Sequence, residues 1–318
     1  MEPIITLSKE QTTRLKGIAI IIVMCAHIGL LKNGTGGVAL FLFLSGFGLM
    51  KSYDEKGLKS FWKKKITNVY FPYIIVAILQ LLIYRITDPK KTVITISGLS
   101  FGLNVDPTYW YISYLLFWYI AFYISGVIAK FIYGKTQFNK DYIILMLIIA
   151  VIPLLQILIN KGFWTSGSGA NLYKYMFPLG VLGGILSKCS INRIINKILW
   201  CIIFLSSVAY IFSNYGKVNG DNYLFFTVLQ ATLWISAVQL VNRHTKNQVL
   251  DILGRYSYGI YLCEGFFMVK VYEWWEMISI IEIQHCIFFA ASIVSAFILQ
   301  NGFFSLLNKN SECGVVLS

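Results

Sequence analysis

The chain has 318 residues, 57% hydrophobic and only 13% charged, with a mean hydropathy of +0.67. Soluble domains carry about 25% charged residues and rarely hold the ~20-residue apolar runs that cross a bilayer. Composition therefore excludes a soluble globule, a disordered chain, a collagen-like repeat and a disulfide scaffold. The formal net charge of +13 reflects 27 Lys and Arg against 14 Asp and Glu. In a membrane protein this excess collects in cytoplasmic loops and against anionic lipid headgroups, so no nucleic-acid partner is expected.

Apolar runs of about 17 to 25 residues predict an all-α integral membrane protein, a single domain over residues 1–318 with about ten transmembrane helices. They run approximately Leu15–Leu31, Val38–Tyr53, Val69–Ile86, Tyr109–Phe131, Tyr142–Ile159, Leu172–Leu186, Ile198–Phe212, Tyr223–Val241, Tyr258–Trp275 and Ile287–Leu307. No small-x-small cleavage site ends the first run, so it reads as a retained span rather than a signal peptide. Lys51, Lys56, Lys59, Lys63, Lys64 and Lys65 cluster between spans two and three. That cluster and the wider Lys and Arg bias put both termini in the cytoplasm, in a multi-pass cell-membrane protein. The longest non-apolar stretch is a loop from Thr87 to Thr108, and no soluble domain is expected. Ser166, Gly167, Ser168 and Gly169 read as a flexible outer loop. The six cysteines, at 25, 189, 201, 263, 286 and 313, lack CxxC spacing, so no metal site or disulfide framework is expected.

Ionisable groups inside spans are costly and mark candidate functional sites. His27 follows Lys16 by eleven residues, three helical turns plus about 20°, which puts both on one face about 16 Å apart. The structural alternative is a snorkelling lysine and a packing histidine. Glu264, in span nine, needs a partner: it can orient His27, pair with a lysine, or stay protonated in a structural hydrogen bond. The run Phe41-Leu42-Phe43-Leu44-Ser45-Gly46-Phe47 offers a Ser-Gly pair at which another helix or a ligand can approach the backbone. Tyr109, Trp110, Tyr111, Trp164, Trp274 and Trp275 read chiefly as an interfacial aromatic belt, with stacking on sugar rings as the functional alternative.

Several stretches together resemble the acyltransferase-3 family of integral membrane acyltransferases. Arg14-Leu15-Lys16-Gly17-Ile18-Ala19-Ile20 with Val23 and His27 is similar to its first-helix motif. Gly36-Gly37-Val38 followed by Phe41 to Phe47 is similar to its second-helix signature. Phe61-Trp62-Lys63-Lys64-Lys65-Ile66 leading to Phe71-Pro72-Tyr73 resembles its basic loop, and Trp110-Tyr111 its fourth-span Trp-Phe. Gly254-Arg255-Tyr256-Ser257-Tyr258-Gly259-Ile260-Tyr261-Leu262 resembles its late Ser-Tyr-x-Ile-Tyr-Leu motif. The chain departs from the family at Lys16, where the motif has arginine, at Asn68, where the basic loop has a second arginine, and at Glu264, where many members have histidine.

The resemblance implies an O-acyltransferase, and acetyl as the acyl group. It would use cytoplasmic acyl-CoA (acetyl-CoA) as co-substrate, with no permanently bound cofactor, and a carbohydrate hydroxyl of the cell envelope as acceptor. Its catalytic residues would be His27, Lys16 and Ser45, with His27 as general base or transient acyl carrier. Arg14, Lys63, Lys64, Lys65 and Phe47 would bind the donor, and Glu264, Tyr258, Tyr261 and Trp110 would support the acceptor. Expected partners are membrane lipid, acyl-CoA, the carbohydrate and a polysaccharide-synthesis machinery. Two other classes stay open: a secondary transporter or flippase of sugar-lipid precursors, and a non-catalytic partner of a polysaccharide synthase.

Overall fold

Lipid offers no hydrogen bonds to the backbone, so a chain this apolar satisfies its peptide groups within helices. The computed structural model describes residues 1–99, 105–136, 139–164, 169–214, 217, 222–241, 247–275 and 280–303. Ser166 to Ser168, His244, Cys313, the end of the last expected span and the side chains of Trp274 and Trp275 lie outside this description. The helices are α1 (Lys9–His27), α2 (Thr35–Lys56), α3 (Phe61–Lys65), α4 (Phe71–Ile83), α5 (Pro89–Ser97), α6 (Trp110–Thr136) and α7 (Lys140–Ala150). They continue with α8 (Ile152–Asn160), α9 (Met176–Leu186), α10 (Arg193–Asn214), α11 (Asn222–Leu240), α12 (Gln248–Trp275) and α13 (Ile281–Ile298). A two-residue strand, Glu2–Pro3, pairs antiparallel with Ser190–Ile191.

All ten expected runs carry helix, yet among the described residues only seven helical stretches are long and apolar enough to cross a membrane. The other three are α1, α9 and α12. Lys9, Glu10, Arg14 and Lys16 make α1 polar, and Asp251, Arg255, Glu264, Lys270 and Glu273 do the same for α12. At eleven residues, α9 is about 16 Å long against a hydrocarbon core of about 30 Å. These helices are shielded by neighbours: α1 packs on α12 and α2, and α9 on α2. The helices that carry charge are thus held against protein, where partners reduce its cost.

Four local features differ from the expected spans, each with a cause. The first helix stops at His27 instead of reaching Leu31, because Gly29 turns the chain at φ 77°. The fifth span breaks at Val151 between α7 and α8, since Pro153 has no N–H to continue the ladder. Between α3 and α4 the helix widens to a π-turn over Ile66–Tyr70, with Phe71 N–H donating to Ile66 O. Pro72 cannot donate to the Asn68 carbonyl, so the ladder slips one residue there. Finally, the expected Thr87–Thr108 loop contains α5, begun by the Asp88 side chain capping Lys90 and Lys91 and ended by Gly98 at φ 71°. The Tyr70 hydroxyl donates to Ile96 O and that of Tyr73 to Thr95 O, pinning α5 to the bundle.

The aromatic belt is corrected as well. Tyr109, Tyr111 and Trp164 are 0%, 8% and 2% exposed, so they are core residues and not interfacial anchors. Trp164 donates its indole N–H to Ser113 Oγ at 2.7 Å, which satisfies the one polar atom of a buried ring.

Candidate active site

Glycines set the helix crossings that build the site. A Cβ on Gly17 would run into the Leu250 carbonyl oxygen, and one on Gly254 into that of Thr13, so α1 and α12 touch backbone to backbone. Across α2 and α9, Gly46 meets the Phe177 carbonyl while Gly180 meets that of Phe43. Gly46 therefore faces α9, and Ser45, about 100° round the helix, faces a cavity.

Two adjoining cavities of about 290 and 300 Å³ share Lys16, Ser45, Lys65 and Tyr119 as walls. The first is closed by Asn68, Val69, Tyr111, Tyr258 and Tyr261. The second extends past Gly48, Ser52 and Gly57 to Lys59 and Lys64. Among the described residues, four lysines thus line the pair and no Asp or Glu does. Lys16 is exposed, and the surface it exposes lines both cavities. Among the described residues no carboxylate lies in ion-pair range of it. The Lys65 ammonium sits 4.4 Å from the centroid of the Tyr119 ring, a cation-π contact that holds it at the wall. The π-turn contributes directly, since Tyr258 donates its hydroxyl to Val69 O at 2.7 Å. Tyr261, edge-on to Tyr111, donates its own to Thr108 O at 2.6 Å.

His27 lines neither cavity. It ends α1, eleven residues or about 16 Å beyond Lys16, with Nδ1 3.5 Å from Oε1 of Glu264. The Glu264 side chain is fully buried and that of His27 is 29% exposed. Among the described residues neither carboxylate oxygen nor Nδ1 has a hydrogen-bond partner, so their contact is electrostatic. Beside them lies Asp106, which sequence reasoning left in a loop. It is 1% exposed, and its oxygens accept from Thr108 N and Oγ1 at 2.8 and 2.7 Å and from Gln80 Nε2 at 3.0 Å. The sequence signal was its place before Pro107, as the cap of a short 3₁₀ turn.

The other expected residues divide. Lys64, Lys65, Tyr258 and Tyr261 line the cavities with Lys16 and Ser45, whereas Lys63 is exposed and lines neither. Arg14 is buried and donates from Nε to Asp251 Oδ1 at 3.0 Å, so it ties α1 to α12. Phe47 packs on Phe43 and against Gly183 in the α2 to α9 interface. Trp110 stacks on Tyr173 with ring centroids 5.6 Å apart.

A family model described as an acyltransferase domain matches residues 13–300, nearly the whole chain. This chain belongs to that family. The match takes in α1 from Thr13, both cavities, His27, Asp106 and Glu264. It assigns a membrane acyltransferase and leaves donor and acceptor to chemical argument. No curated protein and no solved structure matches the chain.

Proposed function

We propose that this acyltransferase moves an acyl group, acetyl in the first instance, from cytoplasmic acyl-CoA to a hydroxyl of a cell-surface or exported carbohydrate. The observation that carries the reading is the division of labour along α1. Its Lys16 stands in a lysine-lined cavity free of carboxylates, and its last residue, His27, stands against a buried carboxylate. A cavity with four ammonium groups and no counter-charge favours an anionic ligand, and a nucleotide-linked thioester supplies phosphates for it.

The chemistry then follows from what each group can do. Lys16, Lys64 and Lys65 hold the donor's phosphates as point charges, Lys16 standing where the family motif has a bidentate arginine. The thioester arm runs past Ser45 and the tyrosine wall toward the His27 end of α1. There Nε2 of His27 removes the proton from the acceptor hydroxyl as its oxygen attacks the thioester carbonyl. The tetrahedral intermediate collapses, the C–S bond breaks, and the imidazolium returns its proton to the departing CoA thiolate. Imidazole suits this exchange because it ordinarily titrates near neutrality. Glu264, 3.5 Å from Nδ1, offsets the imidazolium charge, as a carboxylate does for a catalytic histidine elsewhere. Both termini lie in the cytoplasm in this reading, with the His27 end of α1 toward the acceptor.

The test uses purified protein in nanodiscs with radiolabelled acetyl-CoA and a crude cell-surface glycan extract. Wild type should release CoA and label the glycan, and a folded His27→Ala variant should do neither. Undiminished transfer by His27→Ala would remove the base from this scheme.

A further inference from the structure

Among the described residues Glu264 has His27 as its one close charged partner, while Asp106 has three donors and packs against Gly265, the residue after Glu264. A Cβ built on Gly265 would fall on both Asp106 carboxylate oxygens. The Asp106 carboxylate therefore occupies the space of a side chain directly after Glu264, and position 265 has to be glycine for it to sit there. Burial pushes the Asp106 carboxyl up from the usual carboxylate range, and three donors from Thr108 and Gln80 oppose that shift and hold the group in one orientation. Among the described residues neither carboxylate has a lysine or arginine in ion-pair range, and His27 is the one cationic centre they can serve.

We infer that Asp106 is a positioning residue for the His27 and Glu264 pair: an anchored carboxylate that packs on Gly265, so fixing the backbone that carries Glu264, and that steadies His27 when it carries the acceptor's proton. This rests on the reading of His27 as the base. Asp106 does not touch His27, and it acts through its charge and through the backbone of Gly265. Charged groups on other elements do not duplicate it. Helix α11 contains no Asp, Glu, Lys, Arg or His, and those of α2 lie from Lys51 onward, at its opposite end. Lys32, in the turn after His27, is exposed to solvent. Cys263 and Tyr109 adjoin the cluster as a thiol and a phenol.

A purely structural N-cap makes a different forecast, because removing a cap lowers stability and leaves the titration of a neighbouring histidine alone. Asp106→Asn separates the two. The amide keeps the shape, and its Nδ2 can donate to Gln80 Oε1, which has no partner among the described residues. The measurement is NMR titration of labelled histidine in intact protein, with His27→Ala assigning one of only three histidines. In Asp106→Asn the His27 midpoint should move toward acid by about one pH unit, the low end for loss of a nearby opposite charge. The acid limb of acyl transfer should follow it, with kcat reduced and the donor KM unchanged. Should Asp106→Asn fail to fold, Thr108→Val removes one donor and should move the midpoint the same way by less. An unmoved midpoint in a folded variant overturns the inference. Retained transfer by His27→Ala sinks the underlying reading instead, and the two failures are distinct because the titration needs no turnover.

Discussion

Nδ1 of His27 lies 3.5 Å from Oε1 of Glu264, bringing the end of one helix against the middle of another 237 positions away in sequence. Glu264→Gln keeps the size of the side chain and removes its charge. Among the described residues neither oxygen of this buried carboxylate is hydrogen-bonded, so a neutral amide removes a desolvation cost and thermal stability should hold or rise. Acyl transfer should fall by about 10²- to 10⁴-fold, the range for losing the orienting and charge-balancing partner of a general base. The two readouts move in opposite directions, which a packing role for Glu264 does not allow. Equal activity at equal stability would remove Glu264 from the mechanism.

Lys16 faces a cavity that no carboxylate lines among the described residues, so its charge is available to a ligand. Lys16→Met should raise the KM for acyl-CoA about 10- to 100-fold, as expected for one lost hydrogen bond to a charged group, with kcat changed far less. Lys16→Arg should keep donor binding. Steady-state kinetics across a salt series adds a check, because the wild-type KM should climb with ionic strength more steeply than that of Lys16→Met. A donor KM indifferent to position 16 would reassign this cavity.

Much of this was legible in the sequence, and what was not has a common cause. Apolar runs located the helices because bilayer thickness and backbone satisfaction impose length and pattern locally. Spacing on one continuous helix gave the separation of Lys16 and His27. The pair Ser45 and Gly46 announced a close approach, and the glycine makes one with α9, while the serine lines a cavity. Partners from distant sequence were invisible: Asp251 claims Arg14, and Asp106 reaches Gly265 across 159 positions. Helix α5 carried its own signals in Asp88-Pro89 and Gly98, hidden within a stretch defined only by lacking apolar residues. The π-turn needed Pro72 to be read for the hydrogen bond it withholds.

Gly254 gives a stability test of the α1 to α12 crossing. A methyl group there would meet the backbone of Thr13, which cannot rotate aside, so Gly254→Ala must push the helices apart. The cost should be about 1–3 kcal/mol, with transfer lost because Lys16 and Tyr258 separate. Gly134→Ala in α6 is the control: nothing lies within 4 Å of its added Cβ, and stability should be kept or gain up to about 1 kcal/mol from helix propensity. Equal melting temperatures for both variants would mean that the crossing tolerates a wider separation.

Lys188 ties three helices at the end of the bundle away from His27. Its ammonium lies 2.5 Å from Asp54 Oδ1 on α2 and 2.6 Å from Asp141 Oδ2 on α7, just past the end of α9. Partial burial works against the charge of Lys188, but the hydrogen bonds and charges of Asp141 and Asp54 outweigh it and hold its pKa above the ordinary lysine value. A lysine raised on folding stabilises fully below its unfolded pKa and loses that contribution only as pH climbs through the folded one. Its share of stability should therefore stay constant from pH 6 to 9, given an unfolded value near 10.4, and fall in stronger alkali. Lys188→Ala should cost about 1–2 kcal/mol, less than a fully buried pair because over a third of the side chain is in solvent. Melting temperatures of wild type and variant across that pH range check both claims. A wild-type advantage that already shrinks between pH 7 and 9 would show that Lys188 titrates well below where these two carboxylates should hold it.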